Sequence, residues 1–234
     1  MKIKDLKNNF LNYCKNNKFK INNNQIGIID LLIKFYNKSH KRYFFSFFSN
    51  RNKKKLGFYL FGDVGVGKTM LLNFFFTHLD IPKQRLHFNE FMITFHDFAH
   101  SHKNIQQGNL IASFVKKIKK ESELIYFDEF QVTNVVDAMI LGRLFETMFA
   151  ENIKIIITSN IKINDLYKDG LQRDQFKPFI NIMSKLCYEI ELVIDEDYRK
   201  SSSNMLERFF YPLNEETNFK INQIFRKLTK NKKK

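Results

Sequence analysis

Short apolar runs separated by longer stretches of helical period dominate the middle of this chain. The segments 57–61 (GFYLF), 124–127 (LIYF) and 153–158 (IKIIIT) are largely apolar and end in glycine, Asp-Glu and Ser-Asn respectively. Runs this short, bounded by polar punctuation, predict strands buried on both faces, as in a parallel sheet. The segments 85–89 (RLHFN) and 188–193 predict two more strands. Between them, apolar positions recur with helical period over 69–79, 90–102, 108–120, 135–149, 165–171 and 179–186. Pro82 marks the end region of the first of these helices. Upstream, Ile28, Ile29, Leu32, Ile33 and Tyr36 predict a helix over 25–36, and residues 1–24 read as one charged helix followed by a polar linker. The stretch 39–55 mixes aromatics with charge and shows no clear period. Strands alternating with helices in this way imply an α/β fold with a mainly parallel sheet.

Composition narrows the picture. At 234 residues, 44% of them hydrophobic, the chain suits one large domain or a core domain with short appendages. No apolar run approaches the ~18 residues of a membrane span. The first residues, MKIKDLKNNFLNYC, carry Asp5 and lack the continuous apolar core of a secretory signal. Cys14 and Cys187 are isolated, so neither a disulfide framework nor a zinc site is supported, and a reducing cytoplasm is the simplest home. A net charge of +15 points towards nucleic acid. Its make-up points away again, because lysine outnumbers arginine 31 to 8 and asparagine occurs 25 times, the bias of an AT-rich coding sequence. The basic runs at 53–55, 116–120 and 230–234 therefore read as solvated faces and a frayed terminus, not as a groove that follows phosphates.

The chemistry is carried by residues 62–69, GDVGVGKT. This is the full phosphate-binding pattern Gly-x4-Gly-Lys-Thr, placed after a predicted strand and opening a predicted helix. Such a loop curls so that successive backbone N–H groups face a phosphate, and Gly62, Gly65 and Gly67 permit that curl, with Asp63, Val64 and Val66 between them. Lys68 offers a point charge to the β- and γ-phosphates and Thr69 a hydroxyl to Mg²⁺, at the positive end of a helix. The strand 124–127 delivers Asp128 and Glu129, a metal-holding carboxylate followed by a second acid suited to polarising an attacking water. The additional strand at 85–89, between the loop and the acids, indicates the additional-strand class of P-loop ATPases. Asn160, after the next strand, sits where a γ-phosphate sensor belongs, although an Asn there also suits a helix cap. Arg173 follows at the position of an arginine that acts on a neighbouring subunit's nucleotide, with Arg143 as the alternative. His96 and His100 have the i, i+4 spacing of a two-histidine metal site, but no third ligand accompanies them and packing is the simpler reading.

Taken in order, LGFYLFGDVGVGKTMLLNFFF (56–76), RLHFNEFMITFHDFAH (85–100), IYFDEFQVTNVVDAMILGRLFETMF (125–149), ITSN (157–160), LYKDGLQRDQFKPFI (166–180) and EDYR (196–199) resemble the ZapE cell-division ATPases of bacteria and their mitochondrial Afg/LACE-type relatives. The resemblance runs from about Gln25 to Leu228. It implies an AAA+ core with a five-stranded, mainly parallel sheet over 56–200, preceded by a helical segment and linker over 1–55. It implies Mg-ATP hydrolysis, homo-oligomers and protein partners, the FtsZ division ring for bacterial members and respiratory-chain quality control for mitochondrial ones. Carried over by position, 62–69 bind nucleotide, Thr69 and Asp128 serve the metal, Glu129 the water, Asn160 the sensor and Arg173 the finger. Asn134 stands where the family usually has Asp, which tunes a helix cap. The family continues well past Tyr211-Pro212-Leu213, so residues 201–234 are expected to form only a short helical remnant of the lid, ending in a basic tail. Two other readings stay open, a nucleotide-binding regulatory module with little turnover and a DNA-associated ATPase of the helicase-loader type.

Overall fold

In the computed structural model the described residues are 5–40, 54–103 and 107–194. Five strands form one sheet: β1 (Gly57–Phe61), β2 (Lys83–His87), β3 (Leu124–Asp128), β4 (Lys154–Ser159) and β5 (Cys187–Glu191). Their spatial order is β2-β3-β4-β1-β5, and every pairing is parallel. The helices are α1 (Leu6–Asn16), α2 (Asn23–His40), α3 (Lys68–Thr77), α4 (Phe88–Ser101), α5 (Gln107–Glu121), α6 (Val135–Ala150) and α7 (Arg173–Leu186). All of this lies within one compact unit, Met1–Asp195. None of the described helices is long and apolar enough to cross a membrane.

Both faces of the sheet are covered, which explains the near-continuous apolar runs of β1, β3 and β4. Alternation divides their side chains. Phe58, Leu60, Leu124, Tyr126 and Ile156 face a core shared with α1, α2 and α3. Tyr59, Phe61, Ile125, Phe127, Ile155 and Ile157 face a second core built by α4, α5, α6 and α7. Much of the second core is aromatic: Phe130 meets Phe88 at 4.5 Å and Phe179 at 5.9 Å between ring centroids. The helix read within 1–24 and the one read at 25–36 appear as α1 and α2; α2 packs on β1 through Phe35 and Phe58, and α1 packs on α2 and α3.

The order places β4 between β1 and β3. The chain leaves β1 through α3 on one face and leaves β4 through α7 on the other, so a topological switch point falls at the β1–β4 boundary. In open parallel sheets a ligand crevice forms outside the carboxyl ends of the strands at such a point.

Three elements differ from their reading in the sequence. The strand read at 85–89 runs instead over Lys83–His87, and Phe88 opens α4. Phe88 fits a two-residue alternation with Leu86 and a helical spacing with Phe91, Met92 and Phe95, and pairing with β3 decides for the helix. The helix read at 165–171 is a single 3₁₀ turn, Ile163–Asp165, followed by irregular turns. Tyr167, Asp169 and Gln172 each adopt positive φ there, which breaks the i→i−4 ladder. The helix read at 179–186 begins six residues earlier, at Arg173, and keeps Pro178 inside it. That proline forfeits one ladder bond and made the upstream residues read as non-helical. The lid remnant and tail expected at 201–234 lie outside the described residues.

Candidate functional site: a phosphate-binding loop at the strand ends

Residues 62–69 leave β1 and enter α3 as the pattern requires. Gly62, Gly65 and Gly67 have φ of 146°, 93° and 93°, a region open to glycine and costly for other residues. Two of them are also pressed from outside. A Cβ on Gly62 would stand 2.4 Å from the Leu192 carbonyl oxygen, and one on Gly67 would stand 2.9 Å from Gln25 Nε2. Gln25, buried at the start of α2, donates to the Val66 carbonyl at 3.1 Å, so an N-terminal helix holds the loop's far side.

Lys68 is buried, and its Nζ donates to the carbonyls of Gly62 and Asp63, both at 2.7 Å, and to Asn160 Oδ1 at 2.9 Å. Thr69 Oγ1 donates to Asp128 Oδ1 at 3.1 Å. Loop, metal-type carboxylate and sensor-type amide are thus joined by direct hydrogen bonds at the carboxyl ends of β1, β3 and β4.

Asp128 is 4% exposed and surrounded by donors. Thr158 Oγ1 donates to its Oδ1 at 2.5 Å and the Tyr126 hydroxyl at 3.0 Å, while Arg85 Nη2 pairs with Oδ2 at 2.5 Å. Burial alone would push this carboxyl up. The hydrogen bonds from Thr158, Arg85, Tyr126 and Thr69 together outweigh it and hold Asp128 below the usual carboxylate range. Burial, reinforced by the Asp128 charge, pushes the Tyr126 hydroxyl well up, so it stays protonated and donates. The donor set fits a divalent cation, because a carboxylate kept ionised beside a hydroxyl offers hard oxygen ligands.

Glu129 follows in a left-handed conformation, φ 54°, that carries its side chain out of the strand alternation into exposure. Its N–H donates to Thr158 Oγ1 at 3.0 Å, and the next N–H, of Phe130, donates to the Thr158 carbonyl at 2.8 Å. Backbone strain at a non-glycine residue persists where its surroundings over-determine it, and Thr158 supplies the fastening. Beside Glu129 lies a cavity of about 430 Å³, lined by His87, Asn89, Gln131, Thr133 and Asn160 among others.

Arg173 stands apart from this group. It opens α7, its Nη2 donates to the Asn164 carbonyl at 2.7 Å, and its buried Nε has no hydrogen-bond partner among the described residues. Arg143 is exposed on α6. His96 does not join His100 in a metal site; its Nε2 pairs with Asp137 Oδ1 at 2.7 Å. Among the described residues no group of three or more His, Cys, Asp or Glu is placed to hold an ion. Asn134 caps α6, its side chain accepting from the Val136 N–H at 2.8 Å.

Four residues of the site were not singled out in the sequence: Tyr126, Thr158, Arg85 and Gln25. Tyr126 was open to discovery, because alternation puts residue i−2 on the face of Asp128. Arg85 carried the same signal as Arg173, an arginine kept in a lysine-biased chain. Thr158 and Gln25 depend on register and packing across the fold.

Comparison with known proteins bears on the fold and on the family. Domain III of the replication initiation protein DnaA from Thermotoga maritima superposes with a TM-score of 0.51 at 13% identity, covering 90% of this chain and 73% of that one. The structure of DnaI gives 0.50 at 20%, covering 74% and 87%. These likenesses show the fold. Lactation elevated protein 1 homolog B of Danio rerio is 36% identical over 183 residues, 74% of this chain and 36% of its own length. Cell division protein ZapE of Escherichia coli K12 is 34% identical over 170 residues, 72% of this chain and 45% of its own length. This chain thus spans less than half the length of the curated relatives it matches. The family model of the AFG1-like ATPases matches residues 23–234, and the chain belongs to that family.

Proposed function

We propose that this chain is a Mg²⁺-dependent AAA+ ATPase that works on protein partners. One observation carries the reading: Lys68, Thr69, Asp128 and Asn160 are joined by direct hydrogen bonds at the ends of three adjacent parallel strands. Family membership supports it independently.

The roles follow from what each group can donate or accept. The loop amides of 62–69 cradle the phosphates, and Lys68 turns its donors from the loop carbonyls to phosphate oxygens. Thr69 and Asp128 would hold Mg²⁺, Asp128 through water. When bound, the ion neutralises charge on the β- and γ-phosphoryl oxygens. Glu129, exposed beside the cavity, polarises the attacking water, and Asn160 contacts the γ-phosphate or that water. Arg173 is the candidate for a charge supplied to a neighbouring subunit in a homo-oligomer, and to act there it must release the Asn164 carbonyl. The name of the Escherichia coli relative, a cell division protein, favours a role in cell division over protein quality control, and the division ring is the partner that the family resemblance implies. A cytoplasmic location agrees with both.

Glu129→Gln tests the core of this reading. It should bind ATP as wild type does and lose ~100-fold or more in turnover, the loss typical of removing a general base. Equal turnover in the two proteins sinks the assignment. Adding Arg173→Ala protein to wild type should depress the specific activity of the mixture if the arginine acts between subunits. The ATP-locked Glu129→Gln protein is also the bait with which to capture partners.

A further inference from the structure

Arg85 belongs to none of the expected machinery, yet it is built into it. Its side chain leaves β2, the edge strand next to β3, and its guanidinium lies 5.2 Å from the centroid of the Tyr126 ring. One arm, Nη2, donates to Asp128 Oδ2 at 2.5 Å. The other, Nη1, donates to Asn73 Oδ1 at 3.2 Å. Asn73 sits on α3 one turn after Thr69, so a single planar fork ties the carboxylate of β3 to the helix that carries the metal-type hydroxyl.

The two oxygens of Asp128 are divided by this arrangement. Oδ1 receives Thr69, Thr158 and Tyr126, and Oδ2 receives Arg85. A carboxylate free to rotate about its last bond would exchange the two. With Oδ2 fixed by a charged donor, Oδ1 stays turned towards Thr69. Lysine would not serve equally, since a flexible point charge cannot bridge two acceptors in one plane.

We propose that Arg85 is a positioning residue for Asp128, and that it sets how tightly the Thr69–Asp128 pair takes a divalent cation. The inference rests on the ATPase reading above. Two effects of opposite sign meet here, because a guanidinium also repels a cation. The Arg85 side chain is 38% exposed and that of Asp128 5%. Solvent therefore screens the repulsion, whereas the hydrogen bond to the buried carboxylate keeps its strength, and orientation wins.

The experiment measures Mn²⁺ binding to the full chain with ADP by electron paramagnetic resonance, alongside binding of a fluorescent ADP in EDTA. Arg85→Met, of similar length and without donors, should weaken Mn²⁺ binding by ~10-fold, the lower end of what loss of a ligand-orienting partner costs. Its ADP affinity in EDTA should stay within about twofold of wild type. Arg85→Lys, which restores charge without the fork, should recover less than half of the loss on a logarithmic scale. Unchanged or tighter Mn²⁺ binding in Arg85→Met overturns the proposal, as does full recovery in Arg85→Lys. Should Arg85→Met fail to fold, Asn73→Ala releases the fork from α3 alone and should weaken Mn²⁺ by a few-fold; no change there overturns it too. Wild-type protein that binds no ADP in EDTA would sink the nucleotide reading itself and this inference with it.

Discussion

Thr158 is the residue on which the acid end of the site turns, and replacing it with valine is the sharpest test of that geometry. Its hydroxyl donates to Asp128 at 2.5 Å and accepts from the Glu129 N–H at 3.0 Å, within a side chain 1% exposed. Valine keeps the shape and removes both bonds. A hydrogen bond to a charged group contributes about 1.5–3 kcal/mol, and the orphaned Glu129 N–H adds about 1 kcal/mol, so the variant should lose about 2.5–4 kcal/mol of stability at pH 7. The loss should depend on pH, with a definite sign. Asp128 titrates lower in the fold than in the unfolded chain. Its ionised form therefore stabilises the fold above the ordinary carboxylate pKa of about 4, and that contribution fades as pH falls through the lower native value. Below that value the carboxyl is neutral in both states and the lost bond is an ordinary one of about 1 kcal/mol. The orphaned N–H costs the same at every pH, so urea unfolding without nucleotide, followed from pH 7 downward through the carboxylate range, should show the gap between wild type and Thr158→Val narrowing by up to about half. Steady-state turnover at pH 7 should fall ~10–100-fold, because Asp128 and Glu129 both lose their fastening. Thr158→Ser keeps the hydroxyl and should keep the pH dependence and most of the activity. A gap independent of pH, or a serine variant as impaired as the valine one, would refute the reasoning.

Three further outcomes follow. Gly62→Ala drives a Cβ to 2.4 Å from the carbonyl of Leu192, a residue whose own N–H is held by a 2.8 Å bond to the Phe61 carbonyl, at a φ of 146°. Overpacking and backbone strain should together cost about 3 kcal/mol or more, read by urea unfolding. Asn134→Asp restores the acid usual in the family at the cap of α6 and should change stability by under about 1 kcal/mol, on the stabilising side, whereas Asn134→Ala should cost about 1 kcal/mol. Gln25→Ala removes the donor that holds the Val66 carbonyl. It should cost about 1–2 kcal/mol and, with the loop less firmly held, weaken nucleotide binding several-fold in a fluorescence titration.

What could be read in advance follows the geometry of strands. Gly57–Phe61 was legible residue by residue, because an apolar run ending at a glycine of the phosphate-loop pattern fits little except a buried strand entering that loop. Asp128 and Glu129 were legible for the same reason, as the polar end of a buried strand. The turns at 166–172 were not. Their residues satisfy a helical period, and only the positive φ of Tyr167, Asp169 and Gln172 breaks it. The partners of Asp128 sort by where they come from. Tyr126 lies two residues back on the same strand, so alternation alone places it beside the carboxylate. Thr158 reaches Asp128 only because β3 and β4 pair in the register Phe127↔Ile157, and a slip of one residue would turn its hydroxyl to the opposite face. Arg85 needs both the edge position of β2 and the register Arg85↔Tyr126, which lays its guanidinium along the tyrosine ring towards the acid. Such cross-strand partners fix how a carboxylate is held and how acidic it is. A motif can therefore name the ion's ligand, while the strength of that ligand is written across neighbouring strands, where mutation of Thr158 or Arg85 will show it.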